Sequence, residues 1–157
     1  MLLGAGGAAA GVLGPLLAAR PHRIVLANRT HARAVDLVAR HTQHPSLKKL
    51  LQKTELLAQD IQGLEADFDV IVNATASSLG GTAITLSPRL IKPGALAYDM
   101  MYGQAAQGFL DWASAVGAVP RDGLGMLVEQ AAESFLFWRG VRPPSTQVLQ
   151  EMRRDGA

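Results

Sequence analysis

Leu2-Leu3-Gly4-Ala5-Gly6-Gly7-Ala8-Ala9 sets two leucines directly ahead of a glycine turn and a run of small residues. Gly4, Gly6 and Ala9 stand at the three positions of a GxGxxG/A pattern. The first glycine permits a tight turn, the second lets backbone approach a phosphate, and the small third residue lets the next helix pack on a sheet. Such a turn needs a buried strand before it and a helix after it, because the helix N-terminus supplies the N–H groups that hold a pyrophosphate. Here the leading strand is cut to a remnant, and the sequence reads as one that starts inside a longer protein. On its own the pattern is weak, since an ordinary Gly/Ala helix with loose loops produces it too.

The absence of charge from Met1 to Ala19 raises the alternative of a signal peptide. Against export, there is no basic n-region, five glycines interrupt the apolar run and Pro15 falls where an h-region would lie. A membrane span needs about 20 strongly apolar residues, and this stretch is mostly alanine and glycine. No membrane anchoring is expected.

The 157 residues are 48% hydrophobic, enough for one domain with a real core. Fifteen basic and thirteen acidic residues leave a formal charge of +2, and the basic groups are scattered, which speaks against nucleic-acid binding. Cysteine is absent. That removes disulfides, thiolate catalysis and Cys-based metal sites, and suits a cytoplasmic protein. His22, His31, His41 and His44 lack metal-ligand spacing, so no metal is expected.

Beyond the turn, residues 8–19 read as a helix whose glycine and alanine side lies close to a sheet, with Pro15 bending or straining it. Residues 23–27 read as a strand and residues 30–41 as a helix with Thr30 at its N-cap. The stretch 42–67 has no legible boundaries. Residues 69–74 and 95–100 read as buried strands, 109–116 as a helix, 118–120 as a short strand and 125–138 as an apolar helix. A last helix starts near Pro143-Pro144, with Ser145 and Thr146 offering a cap. Alternating strands and helices predict a doubly wound, mostly parallel, Rossmann-like α/β sheet.

In that fold an NAD-binding chain puts an acidic residue on the ribose about 20 residues after the glycines. This sequence has Asn28-Arg29-Thr30 there, with Arg33 one turn on. A guanidinium suits a 2′-phosphate through its permanent charge and planar fork of donors, so NADP is the predicted cofactor. The bland reading is a solvated basic helix face. The segment Asn73-Ala74-Thr75-Ala76-Ser77-Ser78 falls at the carboxyl edge where open α/β sheets bind ligands, and its competing reading is a polar turn braced by Asn and Ser side chains.

GAGGAAAG at residues 4–11, NRTHAR at 28–33, NATASS at 73–78, YDMMY at 98–102 and DGLGMLVEQAA at 122–132 together resemble the carboxyl-terminal, NADP-binding part of the shikimate dehydrogenase family. The last two motifs are the specific ones, and the resemblance covers nearly the whole chain. It implies reversible reduction of 3-dehydroshikimate to shikimate by NADPH in aromatic amino-acid biosynthesis. Carried over by position, Gly4, Gly6, Gly7 and Ala8 form the pyrophosphate turn, and Asn28, Arg29, Thr30 and Arg33 hold the 2′-phosphate. Asn73, Thr75 and Ser77 lie along the cofactor, Met100 and Gly123 near the nicotinamide, and Tyr102 and Gln130 reach the substrate.

The family's catalytic Lys and Asp belong to an amino-terminal substrate domain that this sequence lacks, so no catalytic residue is assigned and the chain alone is expected to be inactive. Lys48, Lys49, Lys53 and Lys92 match no motif, and Asp99 reads as a structural hydrogen-bonding group. Ala10 replaces a common basic residue, and Ser78 a frequent glycine. The resemblance divides the chain into a cofactor domain, residues 1–122, and a helical segment, 123–157, that folds back on the substrate domain. Without that cover, self-association through 123–157 is expected. The alternatives are a quinate-using relative, another NADP-dependent reductase such as a glutamyl-tRNA reductase, or a non-catalytic nucleotide-binding module.

Overall fold

The computed structural model describes residues 1–62, 64, 66–75 and 86–154. Among them, six strands form one sheet in the order β3-β2-β1-β4-β5-β6, every neighbouring pair parallel. The strands are β1 (Leu2–Leu3), β2 (Arg23–Asn28), β3 (Glu55–Asp60), β4 (Phe68–Asn73), β5 (Ile91–Asp99) and β6 (Val119–Arg121). The helices are α1 (Gly7–Ala18), α2 (His31–Gln43), α3 (Lys48–Leu51), α4 (Gln104–Ala115), α5 (Leu124–Arg139) and α6 (Ser145–Arg154). This is the doubly wound order, in which the chain reverses direction across the sheet between β1 and β4.

Strand alternation builds a core on each face of the sheet. Leu2, Ile24, Leu26 and Val72 face α1 and α2, where they meet Ala9, Leu13, Leu17, Ala34 and Leu37. Leu3, Val25, Ala27, Ile71 and Ala97 face the other way and meet Phe109 and Ala113 of α4. Both leucines of β1 are fully buried, each stabilising the fold by about 1.5–3 kcal/mol. A two-residue strand therefore anchors both cores.

Several local expectations change. The buried stripe of α1 is Ala9, Leu13 and Leu17, spaced by four residues, while Gly11 is exposed. The helix continues through Pro15, which lies three residues from its end at Ala18. Thr30 occupies the N-cap of α2 without a side-chain capping bond; instead the Asn28 amide donates to the Thr30 carbonyl at 2.9 Å. The Ser145 hydroxyl is likewise not a cap, because it donates to Glu129 at 2.7 Å. The stretch left open contains a 3-10 turn (Pro45–Leu47), α3 and β3. β5 starts earlier than the sequence suggests, at Ile91, and takes in Pro93 and Gly94 by an irregularity. Phe68 pairs with Ile91 but Val70 with Leu96.

Candidate functional site

Because all strands run one way, their carboxyl ends share one edge, and the predicted site residues gather there. Gly4 follows β1, Asn28 and Arg29 close β2, Asn73 closes β4, Asp99 closes β5 and Gly123 follows β6. The Gly4 N–H donates to the Ala27 carbonyl at 2.8 Å, and the Ala74 N–H donates to the Leu3 carbonyl at 2.8 Å. The glycine turn is thus clamped at the switch point between β1 and β4.

The glycines of that turn differ in physical role. Gly4 has φ +102°, and a Cβ there would stand 2.9 Å from the Ala74 carbonyl oxygen, so only glycine lets the turn lie against β4. Gly6, the N-cap of α1, and Gly7, its first residue, have open space around the position of a Cβ. Gly6, Gly7 and Ala8 are exposed. No side chain caps α1 and no acidic residue lies in its first turn, so its N-terminal N–H groups and the positive end of its dipole face outward, which is the chemistry of an anion site.

Next to this turn, Arg29 and Arg33 are exposed at the end of β2 and the start of α2. Neither guanidinium has a carboxylate or hydrogen-bond partner among the described residues. Two unpaired cations beside a bare helix N-terminus make this edge electropositive.

A buried polar network braces the other half of the edge. The Asn73 amide nitrogen donates to Asp99 Oδ2 at 2.8 Å, while Asn73 Oδ1 accepts the Thr75 N–H at 3.2 Å and its hydroxyl at 2.8 Å. Asp99 Oδ1 accepts the Met101 N–H at 2.8 Å. Asn73 is 1% and Asp99 0% exposed. The Asn73 side chain therefore braces the polar turn rather than facing a ligand, and the Thr75 hydroxyl is engaged inside it. Burial pushes the Asp99 carboxyl above its ordinary value, opposed by the Met101 N–H and the Asn73 amide. Asp99 thus has the role expected of it, holding hydrogen bonds away from solvent.

Gly123 is buried where β6 meets α5, and a Cβ there would fall 2.3 Å from the Met100 carbonyl oxygen. Its N–H donates to the Met101 carbonyl at 2.8 Å. That close approach brings Met100 and Gly123 together. Tyr102 is 43% exposed just beyond them. Gln130 is exposed on α5, six residues past Leu124 and so about 9 Å along the helix axis from this edge. Ser77 lies outside the described residues. What sequence reasoning missed is the steric lock of Gly123 on Met100, whose local signal, a glycine after Asp122, is indistinguishable from a loop glycine.

Residues 1–82 match the family described as Shikimate / quinate 5-dehydrogenase. The chain belongs to that family. Residues 123–153 match the Shikimate 5'-dehydrogenase C-terminal domain. Among relatives, the shikimate dehydrogenase (NADP(+)) of Acidovorax ebreus strain TPSY is 66% identical over 153 residues, covering 98% of this chain and 53% of its own length. The enzyme of the same name from Verminephrobacter eiseniae strain EF01-2 is 59% identical over 157 residues, covering 100% and 53%. This member of the shikimate/quinate dehydrogenase family thus spans about half the length of those relatives.

Solved structures of similar fold include an Ael1 enzyme from Pseudomonas putida, with TM-score 0.78 and 39% identity over 96% of this chain and 52% of that one. Shikimate 5-dehydrogenase of Thermus thermophilus, in complex with shikimate, gives TM-score 0.69 and 27% identity over 98% and 52%. In this family member no described helix is long and apolar enough to cross a membrane, and no metal-binding group of three or more His, Cys, Asp or Glu occurs among the described residues.

Proposed function

We propose that this chain is the NADP(H)-binding half of a cytoplasmic shikimate dehydrogenase, serving the reversible reduction of 3-dehydroshikimate to shikimate in aromatic amino-acid biosynthesis. The observation that carries this reading is the pair Arg29 and Arg33, without carboxylate partners among the described residues, beside the uncapped N-terminus of α1. The names of the relatives, which specify NADP(+), support it.

The cofactor supplies the hydride, and the residues of this chain hold and orient it. Gly6 leaves room for the pyrophosphate, and the N–H groups of Gly7 and Ala8 donate to it. Arg29 and Arg33, with Asn28 and Thr30, hold the 2′-phosphate. Thr75 and Ser77 lie along the cofactor, with Met100 and Gly123 at the nicotinamide end and Tyr102 and Gln130 reaching the substrate. Asn73 acts by fixing Thr75 and Asp99. Residues 1–122 form the cofactor domain, and 123–157 a helical segment that docks on a substrate domain holding the acid/base pair. Left uncovered, that segment associates with a second copy.

Fluorescence titration with NADPH and NADH, before and after Arg29→Ala, tests the cofactor assignment. Losing a charge-assisted phosphate contact weakens NADPH binding about tenfold or more and leaves NADH nearly unchanged; equal loss for both overturns the 2′-phosphate role. The purified chain is expected not to oxidise shikimate with NADP, and turnover at the rate of a complete enzyme would refute the division of labour. Quinate is the second reading, since the family description names both substrates; activity with each, once a substrate domain is supplied, decides between them.

A further inference from the structure

The helix α6 is held in place without joining either core. It has 10 residues and none of them is buried, and a helix of that length is marginal on its own. Its apolar contact at the start of α5 is small: a Cβ on Gly125 would stand 3.8 Å from Leu149 Cδ2. Polar contacts tie it down at both ends. At the first, the Ser145 hydroxyl donates to Glu129 Oε1 at 2.7 Å, and Arg142, just ahead of the helix, donates to Glu129 Oε2 at 2.8 Å and to Glu133. At the other, Arg153 Nη2 donates to Asp122 Oδ1 at 3.2 Å.

These ties end on residues beside the candidate site. Glu129 adjoins Gln130, and Asp122 adjoins Gly123. The second junction is stiff. Gly123 lies so close to the Met100 carbonyl that no Cβ fits between them, and its N–H donates to the Met101 carbonyl at 2.8 Å. A shift of Asp122 is therefore passed on to Met100 and Met101 instead of being absorbed in a loop.

Asp122 also acts on β5. Burial, and next the Asp122 carboxylate, push the Tyr98 phenol up. The Asp122 side chain is only 19% exposed, so its pair with Arg153 is less screened by solvent than one lying wholly on the surface. Arg153, Asp122, Gly123 and Met100 form one continuous line of contact from α6 to the end of β5.

We propose that Arg153 is a positioning residue for the nicotinamide end of the cofactor site, holding Asp122 so that Gly123 stays seated against Met100. It touches no cofactor itself. This inference rests on the NADP(H) reading above, and it makes α6 a strap along the first half of α5.

Calorimetric titration of the 157-residue chain with NADPH, and with 2′,5′-ADP, which has the 2′-phosphate but no nicotinamide, tests it. Arg153→Ala should weaken NADPH binding about threefold, the scale of a single ion pair, and leave 2′,5′-ADP unchanged. Arg153→Lys, which keeps the charge, should restore most of the loss. Amide exchange at Gly123, followed by NMR without ligand, should quicken in Arg153→Ala. Unchanged NADPH affinity, an equal loss for both ligands, or a loss that Arg153→Lys does not restore overturns the positioning role. If the parent binds neither ligand, the NADP(H) reading falls, and the inference falls with it; unchanged exchange at Gly123 overturns the contact line in either case.

Discussion

The Asn73 amide donates to the Asp99 carboxylate at 2.8 Å across two adjacent strand ends, with both side chains buried. This bond ties β4 to β5 at the edge where the site lies, and each partner anchors a further turn: Asn73 holds Thr75, and Asp99 holds the Met101 N–H. Neither residue has to touch a ligand to matter. They set where Thr75, Met100 and Tyr102 begin.

Asp99→Asn keeps the shape and removes one acceptor. Its new amide group must face either the Asn73 amide or the Met101 N–H, and rotating Asn73 to relieve the first clash strips Thr75 of its acceptor. A loss of about 1–3 kcal/mol in unfolding free energy is expected, measured by urea denaturation. Stability equal to that of the parent would refute the network.

The same carboxyl gives a pH dependence of defined sign. Its folded-state value is raised above 3.8 by burial, so the folded protein binds this proton more tightly than the unfolded chain. The stabilisation from that proton is complete below 3.8 and is lost as pH rises through the folded value. Measured across this window, the parent should lose stability relative to Asp99→Asn as pH increases. A difference independent of pH would count against a raised value.

Three glycines separate packing from ligand approach. Gly123→Ala forces a Cβ to 2.3 Å from the Met100 carbonyl oxygen, and Gly4→Ala adds a clash with Ala74 at 2.9 Å to a strained φ of +102°. Each should cost about 2–4 kcal/mol by thermal or urea unfolding. Gly6→Ala meets nothing within 4 Å, so stability should stay within about 0.5 kcal/mol while NADPH binding weakens. Unchanged NADPH affinity in Gly6→Ala would remove this turn from the pyrophosphate site.

On α5 and beyond it, Phe137, Trp138 and Val141 are 86%, 75% and 64% exposed. Apolar groups so displayed favour association. Sedimentation of the chain should show concentration-dependent self-association that Phe137→Ser with Trp138→Ser reduces. A strict monomer at high concentration would exclude it.

Most elements were legible because their residues announce themselves locally. The apolar runs of β2 and β4 reflect burial on both faces of the sheet, and the apolar stretch of α5 buries one face through Leu124, Val128 and Ala132. Residues 42–67 did not, since β3 is an edge strand with a mixed burial pattern, and what makes it a strand is pairing with β2 from Arg23 to Asn28. The early start of β5 was hidden by Pro93 and Gly94. Gly94, at φ +76°, is held there by donating to the Gly117 carbonyl at 2.7 Å, a contact distant in sequence.

By itself the sequence determined the fold class, the glycine turn, the guanidiniums expected at a 2′-phosphate and the family, because these depend on residue types at short spacings. Only the tertiary structure decided that Asn73 turns inward to Asp99, that Gly123 locks against Met100, and that Gly4 lies against Ala74. Each of these relations joins residues from different strands, and distances between strands follow from sheet register, which no local pattern encodes.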